Sequence, residues 1–499
     1  MTRSISKQQQ LQHLHWRAGF GATPDQIRHD SNRPLRKVVR DLIEHSASFA
    51  PLTVVDPEQV VPRKALKGMF KDGMLDRDTL KERIKENTGH IRDLNVLWVE
   101  RMGTGSDTLR EKMALFWHGH FACRVLNPGA IQQYLNTIRQ NALGKFSDLL
   151  LAVSKEPAML QFLNNQQNRK NAPNENFARE VMELFTLGRN NPPPSKGGEQ
   201  TTPPSGGGGY TEADVKDAAR AFTGWGFNLQ GAFVFRQNQH DDGPKTIFGQ
   251  TGNFTGEDVI RLLLEKKQTA RFITTKMYRF LVNDDVADAP TQIRINALAD
   301  RFYANGYDIA DLLETILTAD WFYDPANVGT RIKSPVELIA GMERTLGLAF
   351  EQKQSLLFIQ KTLGQVLLYP PNVAGWPGGR NWIDSSSLLF RMKLPDVLLQ
   401  AAQVTIQPKD DGDVNTENLS RRGKGQMAAT VDWAAFEVSF AKTSDEKLPD
   451  ELAAFLLQQP LGTPQRAEVV KRIKPGSTRS EQIKMLTATI MALPEYQLC

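Results

Sequence analysis

The chain has 499 residues, of which 40% are hydrophobic and 23% charged, and this ordinary globular composition argues against a globally disordered protein. Its formal net charge of +5 is small for this length, and acidic residues interrupt even the densest charged stretch at residues 64–92, so we expect no nucleic-acid partner. No apolar run approaches the ~18 to 20 residues that cross a bilayer, so we also expect no membrane span.

The first residues carry positive charge, but no apolar stretch follows them, and this is not the pattern of a secretion signal. As written, the chain is therefore expected in the cytoplasm, or in the periplasm or outside the cell if a leader has been removed. Its two cysteines, Cys123 and Cys499, are too few for a disulfide framework or a cysteine-based zinc site.

Helix-start patterns recur along the chain. Residues 23–26, 211–214 and 334–337 each place a serine or threonine three residues before a side chain that can complete a capping box. Strand-forming residues cluster only around a Gln-Gly turn at residues 226–235, which predicts a small hairpin. We therefore predict a mainly α protein, a large multi-helical domain with a small β-hairpin element.

Composition changes sharply at two places in the chain. Residues 190–209 are rich in proline and glycine, which predicts a flexible insertion. Residues 407–426 form a second polar stretch. We expect a helical body over residues 1–395, followed by a polar linker and C-terminal helices over residues 396–499 that belong to the same unit.

Two histidines lie close together in a predicted helix at residues 109–121. Met113, Phe116 and His120 share its apolar face, so His120 should point inward. His118 would point almost the opposite way, unless Gly119 ends the helix. An inward histidine is either a metal ligand or a hydrogen-bonded core residue, and the sequence leaves both interpretations open.

A second predicted helix, at residues 174–188, carries an apolar stripe with polar groups along one edge. Asn176, Glu180 and Glu183 lie on that edge, because residues three and four apart are neighbours on a helix. Half-burial raises the pKa of a carboxyl group unless a cation compensates, and either a metal ion or an arginine would supply that cation. The alternative to a functional site is an internal salt-bridge network with Arg179 as a partner.

Three ionisable residues precede a Gly-Pro turn. His240, Asp241 and Asp242 offer imidazole and carboxylate groups, which are ligands that divalent cations accept. The same residues are also ordinary turn residues, so the segment alone is a weak signal.

A loop at residues 369–382 carries Trp376 among paired prolines and glycines. Such a ring can stack on a flat face of a ligand. The other interpretation is that the ring anchors the loop to the helical body.

Several segments together resemble one family, and they are residues 17–24, 116–121, 174–188, 210–225, 240–254 and 372–379. Through them the sequence resembles the bacterial family labelled domain of unknown function 1800 (DUF1800), from about residue 10 to Cys499. The resemblance implies a largely helical protein without an established activity. It also implies a partner, the product of a neighbouring gene that resembles alkaline phosphatases and sulfatases. The chain departs from the family pattern by its insertion at residues 190–209 and by the lack of an evident leader.

Three functional hypotheses follow from these residues. The first is a metal-dependent, hydrolytic enzyme that holds a divalent metal ion in a pocket of histidine and acidic side chains. The second is a non-catalytic binding or assembly protein that acts with the phosphatase- or sulfatase-like partner, and the third is a haem or other cofactor protein with His120 as axial ligand. For the first, the catalytic residues are Glu180, Glu183 and Arg179, the metal ligands are His118, His120, His240, Asp241 and Asp242, and the substrate-binding residues are Asn174, Asn176 and Trp376.

Overall fold

Helices make up most of the protein, which confirms the predicted mainly α fold. The computed structural model describes residues 5–57, 60, 63–189, 209–228, 230–399, 427 and 429–499. Over these residues the α-helices are Lys7–Arg17, Pro24–Asp30, Leu35–His45, Arg63–Lys71, Arg77–Thr104, Thr108–His120, Pro128–Asn141, Phe146–Lys155, Pro157–Phe162, Asn176–Glu183, Glu212–Ala221, Gly256–Leu264, Lys267–Leu281, Ala289–Ala304, Ile309–Leu317, Pro335–Leu346, Gln354–Leu363, Ser385–Leu399, Trp433–Val438, Leu448–Leu456, Thr463–Lys471 and Arg479–Met491.

The three predicted helix starts are confirmed. Thr23, Thr211 and Ser334 each accept a hydrogen bond from the backbone N–H three residues later, and the side chain of that residue accepts one from the backbone N–H of the cap. Each reciprocal pair satisfies N–H groups that have no partner within a helix. Further capping boxes start helices after Ser6 and Thr478.

The described residues contain three two-stranded antiparallel sheets. The predicted hairpin is one of them, and it pairs Trp225–Phe227 with Phe233–Phe235 so that Trp225 lies opposite Phe235. The other two pair Lys245–Ile247 with Gln250–Gly252 and Leu348–Phe350 with Ala429–Val431.

One helix, Thr108–His120, is enclosed on all sides: every residue except Gly119 is buried. Its charged side chains have partners, since Glu111 forms an ion pair with Arg139 at 2.6 Å and Lys112 forms one with Glu337. Buried charges are tolerated only with such partners, because desolvation of an unpaired charge is costly. The surrounding helices therefore hold this helix in place, and it carries both candidate histidines at its C-terminal end.

The expected division of the chain lies partly outside the described residues. The insertion at residues 190–209 does so except for Gly209, and so does the stretch at residues 407–426. The helix Ser385–Leu399 continues through the expected boundary at residues 395–396 and packs against Arg479–Met491. Among the described helices, none combines the length and apolar composition that a membrane crossing requires.

Candidate functional site

His118 is held on one side of the helix Thr108–His120. Its Nε2 accepts a hydrogen bond from the backbone N–H of Leu368 at 3.1 Å, and its ring lies 5.3 Å from the ring of Trp98. The side chain is fully buried, and burial lowers the pKa of His118 to about 3. His118 is therefore neutral, and the lone pair of its Nε2 is already occupied by a backbone donor.

The predicted ligand-binding ring of Trp376 also lies at His118, with 5.5 Å between the ring centroids. The loop approaches the helix very closely here. A Cβ at Gly375 would lie 2.3 Å from the carbonyl oxygen of Gly119, and the φ of Gly375 is +75°. Only glycine fits both conditions. This packing agrees with the interpretation that Trp376 anchors its loop to the helical body.

His120 faces a different segment of the chain. Its Nε2 lies 3.2 Å from the carbonyl oxygen of Phe185, and its Nδ1 lies 2.8 Å from the Nζ of Lys276. A carbonyl oxygen only accepts hydrogen bonds, so we assign the proton to Nε2, and Nδ1 accepts from the lysine. Burial and the neighbouring Lys276 hold the pKa of His120 well below its ordinary value. The pair therefore consists of a neutral imidazole and a lysine.

Lys276 has an unusual setting for a cation. The side chain is half-buried, and within the described part of the chain it forms no ion pair with a carboxylate. Burial, with a smaller contribution from Arg279, lowers the pKa of Lys276 to about 8. A lysine in this state supplies a neutral amine at a pH where most lysines are ammonium ions.

Aromatic rings form the walls around His120. Phe121 and Phe185 lie 4.5 Å and 6.1 Å from its ring, and Phe272 lies 6.4 Å from it. The Nζ of Lys276 lies 5.3 Å from the centre of the Phe272 ring. Gly188, with a φ of +84°, admits that ring, since a Cβ there would lie 3.1 Å from it. The contact with the Phe272 ring favours the ammonium form, whereas burial of the side chain disfavours it and has the larger effect on the pKa of Lys276.

The carboxylates of the helix Asn176–Glu183 are largely neutralised by arginines. Arg179 binds Glu212 through two nitrogens at 2.8 Å each. Glu183 lies 3.7 Å from Arg179 and 3.7 Å from Arg189. For Arg179 and Glu183, the structure thus shows the salt-bridge network that was the alternative to a functional role.

Glu180 differs from these neighbours. Its Oε2 is buried and has no hydrogen-bond partner among the described residues, and burial, followed by the charge of Glu183, raises its pKa. Asn176 donates its side-chain amide to the carbonyl oxygen of Leu163 at 3.1 Å. Asn174 accepts from the backbone N–H of Asn176 at 3.0 Å, so both asparagines make contacts that shape the helix start.

The segment at residues 240–242 is held by its own local partners. The Nδ1 of His240 lies 2.9 Å from the carbonyl oxygen of Thr223. Asp241 accepts from Arg220 at 2.7 Å and 3.2 Å, and these bonds hold the pKa of its carboxyl below its ordinary value. Asp242 accepts from the side-chain amide of Gln237 at 2.7 Å.

The bonds of the predicted residues thus fall into separate groups, at His118, at His120, along the helix Asn176–Glu183, and at residues 240–242. Within the described ranges, no group of three or more His, Cys, Asp or Glu side chains is placed to hold a metal ion. A surface cavity of about 490 Å³, with Tyr303 and Tyr307 in its lining, contains none of the predicted residues.

Sequence reasoning missed Lys276. A signal for it exists in the helix Lys267–Leu281, where Phe272, Lys276 and Phe280 follow one another at intervals of four residues. Side chains at this spacing share a helix face. A lysine between two aromatic residues on one face is therefore placed beside an apolar surface, but its contact with His120 joins positions 156 residues apart and has no local signature.

The fold and the site define a mainly α-helical protein in which a buried, neutral histidine contacts a half-buried lysine. Residues 13–498 match the family model described as Protein of unknown function (DUF1800), so the chain belongs to this family. No curated protein and no solved structure shows a significant match to the chain.

Proposed function

We propose that the protein is an enzyme whose reacting group is the amine of Lys276, with Nδ1 of His120 as the hydrogen-bond acceptor that orients the amine. The observation that supports this best is the 2.8 Å contact between Nζ and a neutral ring nitrogen, in a site where the described residues offer the lysine no carboxylate. An ammonium ion in an apolar site without a counter-ion loses its proton readily.

The chemistry follows from the protonation state. With a pKa of about 8, about one tenth of Lys276 is neutral amine at pH 7, whereas an ordinary lysine is neutral in only about 0.03% of molecules. A neutral amine acts as a nucleophile or as a general base. His120 supports both roles, because its unprotonated Nδ1 faces the amine and its ring is fixed by the carbonyl oxygen of Phe185.

A test uses p-nitrophenyl acetate, an activated ester that neutral amines attack. We expect a burst of about one equivalent of p-nitrophenolate, with acetylation of Lys276 and a pH midpoint near 8. Lys276→Met should abolish the burst. Lys267→Met is the matched control, because this exposed lysine lies on the same helix, and it should retain the burst. Acetylation that is no faster at Lys276 than at exposed lysines would overturn the proposal.

The metal-dependent hydrolase predicted from the sequence is a second candidate, favoured by Glu180. Its buried carboxylate oxygen has no hydrogen-bond partner among the described residues, and a divalent cation would supply the charge it lacks. Turnover of an ester that a chelator abolishes, that Glu180→Gln abolishes and that Lys276→Met leaves intact would favour this candidate. Chelator-insensitive activity that depends on Lys276 would argue against it.

A third candidate is the binding or assembly protein, favoured by an apolar surface at the end of the helix Arg63–Lys71. Met69, Phe70 and Met74 are 38%, 40% and 72% exposed. Exposed apolar side chains that cluster in this way mark contact sites for other proteins. The neighbouring-gene product should then co-purify with the protein, and Met74→Asp should weaken that association. Equal association with the wild type and with Met74→Asp would exclude this surface as the contact site.

A further inference from the structure

Arg279 stands one turn beyond Lys276 on the helix Lys267–Leu281. Residues three apart lie on the same face, with their Cβ atoms about 5 to 6 Å apart. The side chain of Arg279 is exposed, and its charge reaches Lys276, since it contributes to the lowered pKa of that lysine. Among the described residues, Arg279 forms neither a hydrogen bond nor an ion pair within contact distance. The charges of Asp284 and Asp285 act on Arg279, but neither forms an ion pair with it within contact distance. The amine is therefore accompanied by a guanidinium group whose donors have no partner among the described residues.

We propose that Lys276 forms an imine with a small 2-oxo acid, whose carboxylate Arg279 binds; this inference rests on the proposed function. The spacing of the two side chains selects the substrate class. A carbonyl carbon at the Nζ of Lys276 and an anion at Arg279 must be close together within one molecule, and in a 2-oxo acid they are on adjacent carbons. A guanidinium group binds a carboxylate through two parallel hydrogen bonds, which also fixes the orientation of the carbonyl group.

The step needs no group beyond the amine, the substrate and a proton carrier. The neutral amine attacks the carbonyl carbon, an N–C bond forms, and the π electrons of the C=O bond move to oxygen. One proton passes from nitrogen to that oxygen, with Nδ1 of His120 as the carrier at 2.8 Å. The proton that remains on nitrogen then passes to the hydroxyl group, the C–O bond breaks as water leaves, and the nitrogen lone pair forms the C=N bond. Amine and oxo acid thus give imine and water.

The aromatic surroundings favour this product. The rings of Phe272 and Phe185 stand beside the histidine–lysine pair, so an imine at Nζ is partly screened from water. Exclusion of water slows the return reaction, in which water attacks the C=N bond. Before and after the proton transfer His120 is neutral, because burial and Lys276 hold its pKa well below its ordinary value. A proton that its Nδ1 takes up is therefore released at once to the substrate oxygen.

The experiment traps the imine with pyruvate and sodium cyanoborohydride at pH 8 and locates the product by peptide mass spectrometry. We expect one reduced pyruvyl group at Lys276 of the full chain, its loss in Lys276→Met, and its retention in Lys267→Met. Arg279→Met should slow labelling by pyruvate about tenfold or more relative to its effect on acetaldehyde, as expected for the loss of a charge-assisted hydrogen bond. Labelling by acetaldehyde should slow only slightly, because removal of the Arg279 charge raises the pKa of Lys276. Circular dichroism spectra equal to that of the wild type show that the variants fold.

Two results would overturn the inference: labelling spread evenly over exposed lysines, or an equal effect of Arg279→Met on pyruvate and acetaldehyde. The outcome is separable from that of the proposed function. If p-nitrophenyl acetate acetylates Lys276 but pyruvate is not trapped there, the imine is excluded, whereas the proposal that Lys276 is the reacting amine is supported. If neither reagent labels Lys276 faster than Lys267, both proposals are wrong.

Discussion

The lowered pKa of Lys276 makes a prediction about stability that needs no substrate. At neutral pH the folded protein holds a half-buried ammonium ion that the described residues do not pair with a carboxylate, and this costs free energy of folding. Lys276→Met replaces the ammonium group with an apolar side chain of similar length. We therefore expect this variant to be more stable than the wild type at pH 7, which is the opposite of the usual effect of a substitution.

The magnitude follows from linkage. A fall in pKa from 10.5 to about 8 corresponds to about 3 kcal/mol, and solvent at the half-buried side chain reduces this to about 2 kcal/mol. The cost is fully present below pH 8, where the lysine is charged in both states. Between pH 8 and 10.5 the unfolded chain holds more protons than the folded one, so wild-type stability rises with pH. The lost hydrogen bond to His120 offsets about 1 kcal/mol of the gain.

The net prediction is that Lys276→Met is more stable than the wild type by about 1 kcal/mol at pH 7 and less stable by about 1 kcal/mol near pH 11. Urea unfolding at several pH values between these limits measures the difference. Lys267→Met is the control, because its exposed ammonium group should show little dependence of this kind. A constant difference between Lys276→Met and the wild type across the pH range would refute the reasoning.

Three further predictions concern residues that hold the site. Gly375→Ala should lower the free energy of unfolding by about 2 kcal/mol or more, measured by urea unfolding, because its Cβ would meet Gly119 and its φ is positive. Asp241→Asn should lower the free energy of unfolding by about 1 to 2 kcal/mol above about pH 4, and should have no effect in acid, where the wild-type carboxyl group is protonated as well. Calorimetry without added metal measures this difference. An effect that appears only when metal is present would contradict the ion-pair role. Glu111→Gln should lower the free energy of unfolding by about 3 to 5 kcal/mol, because it leaves Arg139 buried without its counter-ion. Thermal or urea unfolding measures this, and a decrease below about 1 kcal/mol would contradict the prediction.

The sequence predicts the parts of this fold that depend on local pattern. The capping boxes at Thr23, Thr211 and Ser334 and the hairpin around residues 226–235 all rest on residues a few positions apart, and all are present. The ladder between Leu348–Phe350 and Ala429–Val431 was not predicted. It joins segments about 80 residues apart, and no short-range pattern encodes such a pairing.

The candidate site shows the same division. The inward position of His120 follows from its spacing to Met113 and Phe116, and the structure buries it as expected. What the histidine touches could not be deduced, because the partner Lys276 comes from a distant helix. The partner of Asp241 could not be deduced either, because the sequence of a turn is the same whether its carboxylate binds an arginine or a metal ion.

The most direct test of the central claim is a titration of the Lys276 side chain by NMR, with lysine labelled at its ε-carbon and the signal assigned by its absence in Lys276→Met. A midpoint near pH 8 is predicted, well below the ordinary 10.5 of lysine. A midpoint near 10.5 would mean that the group is an ordinary ammonium ion at neutral pH, and the amine chemistry assigned to it would be wrong.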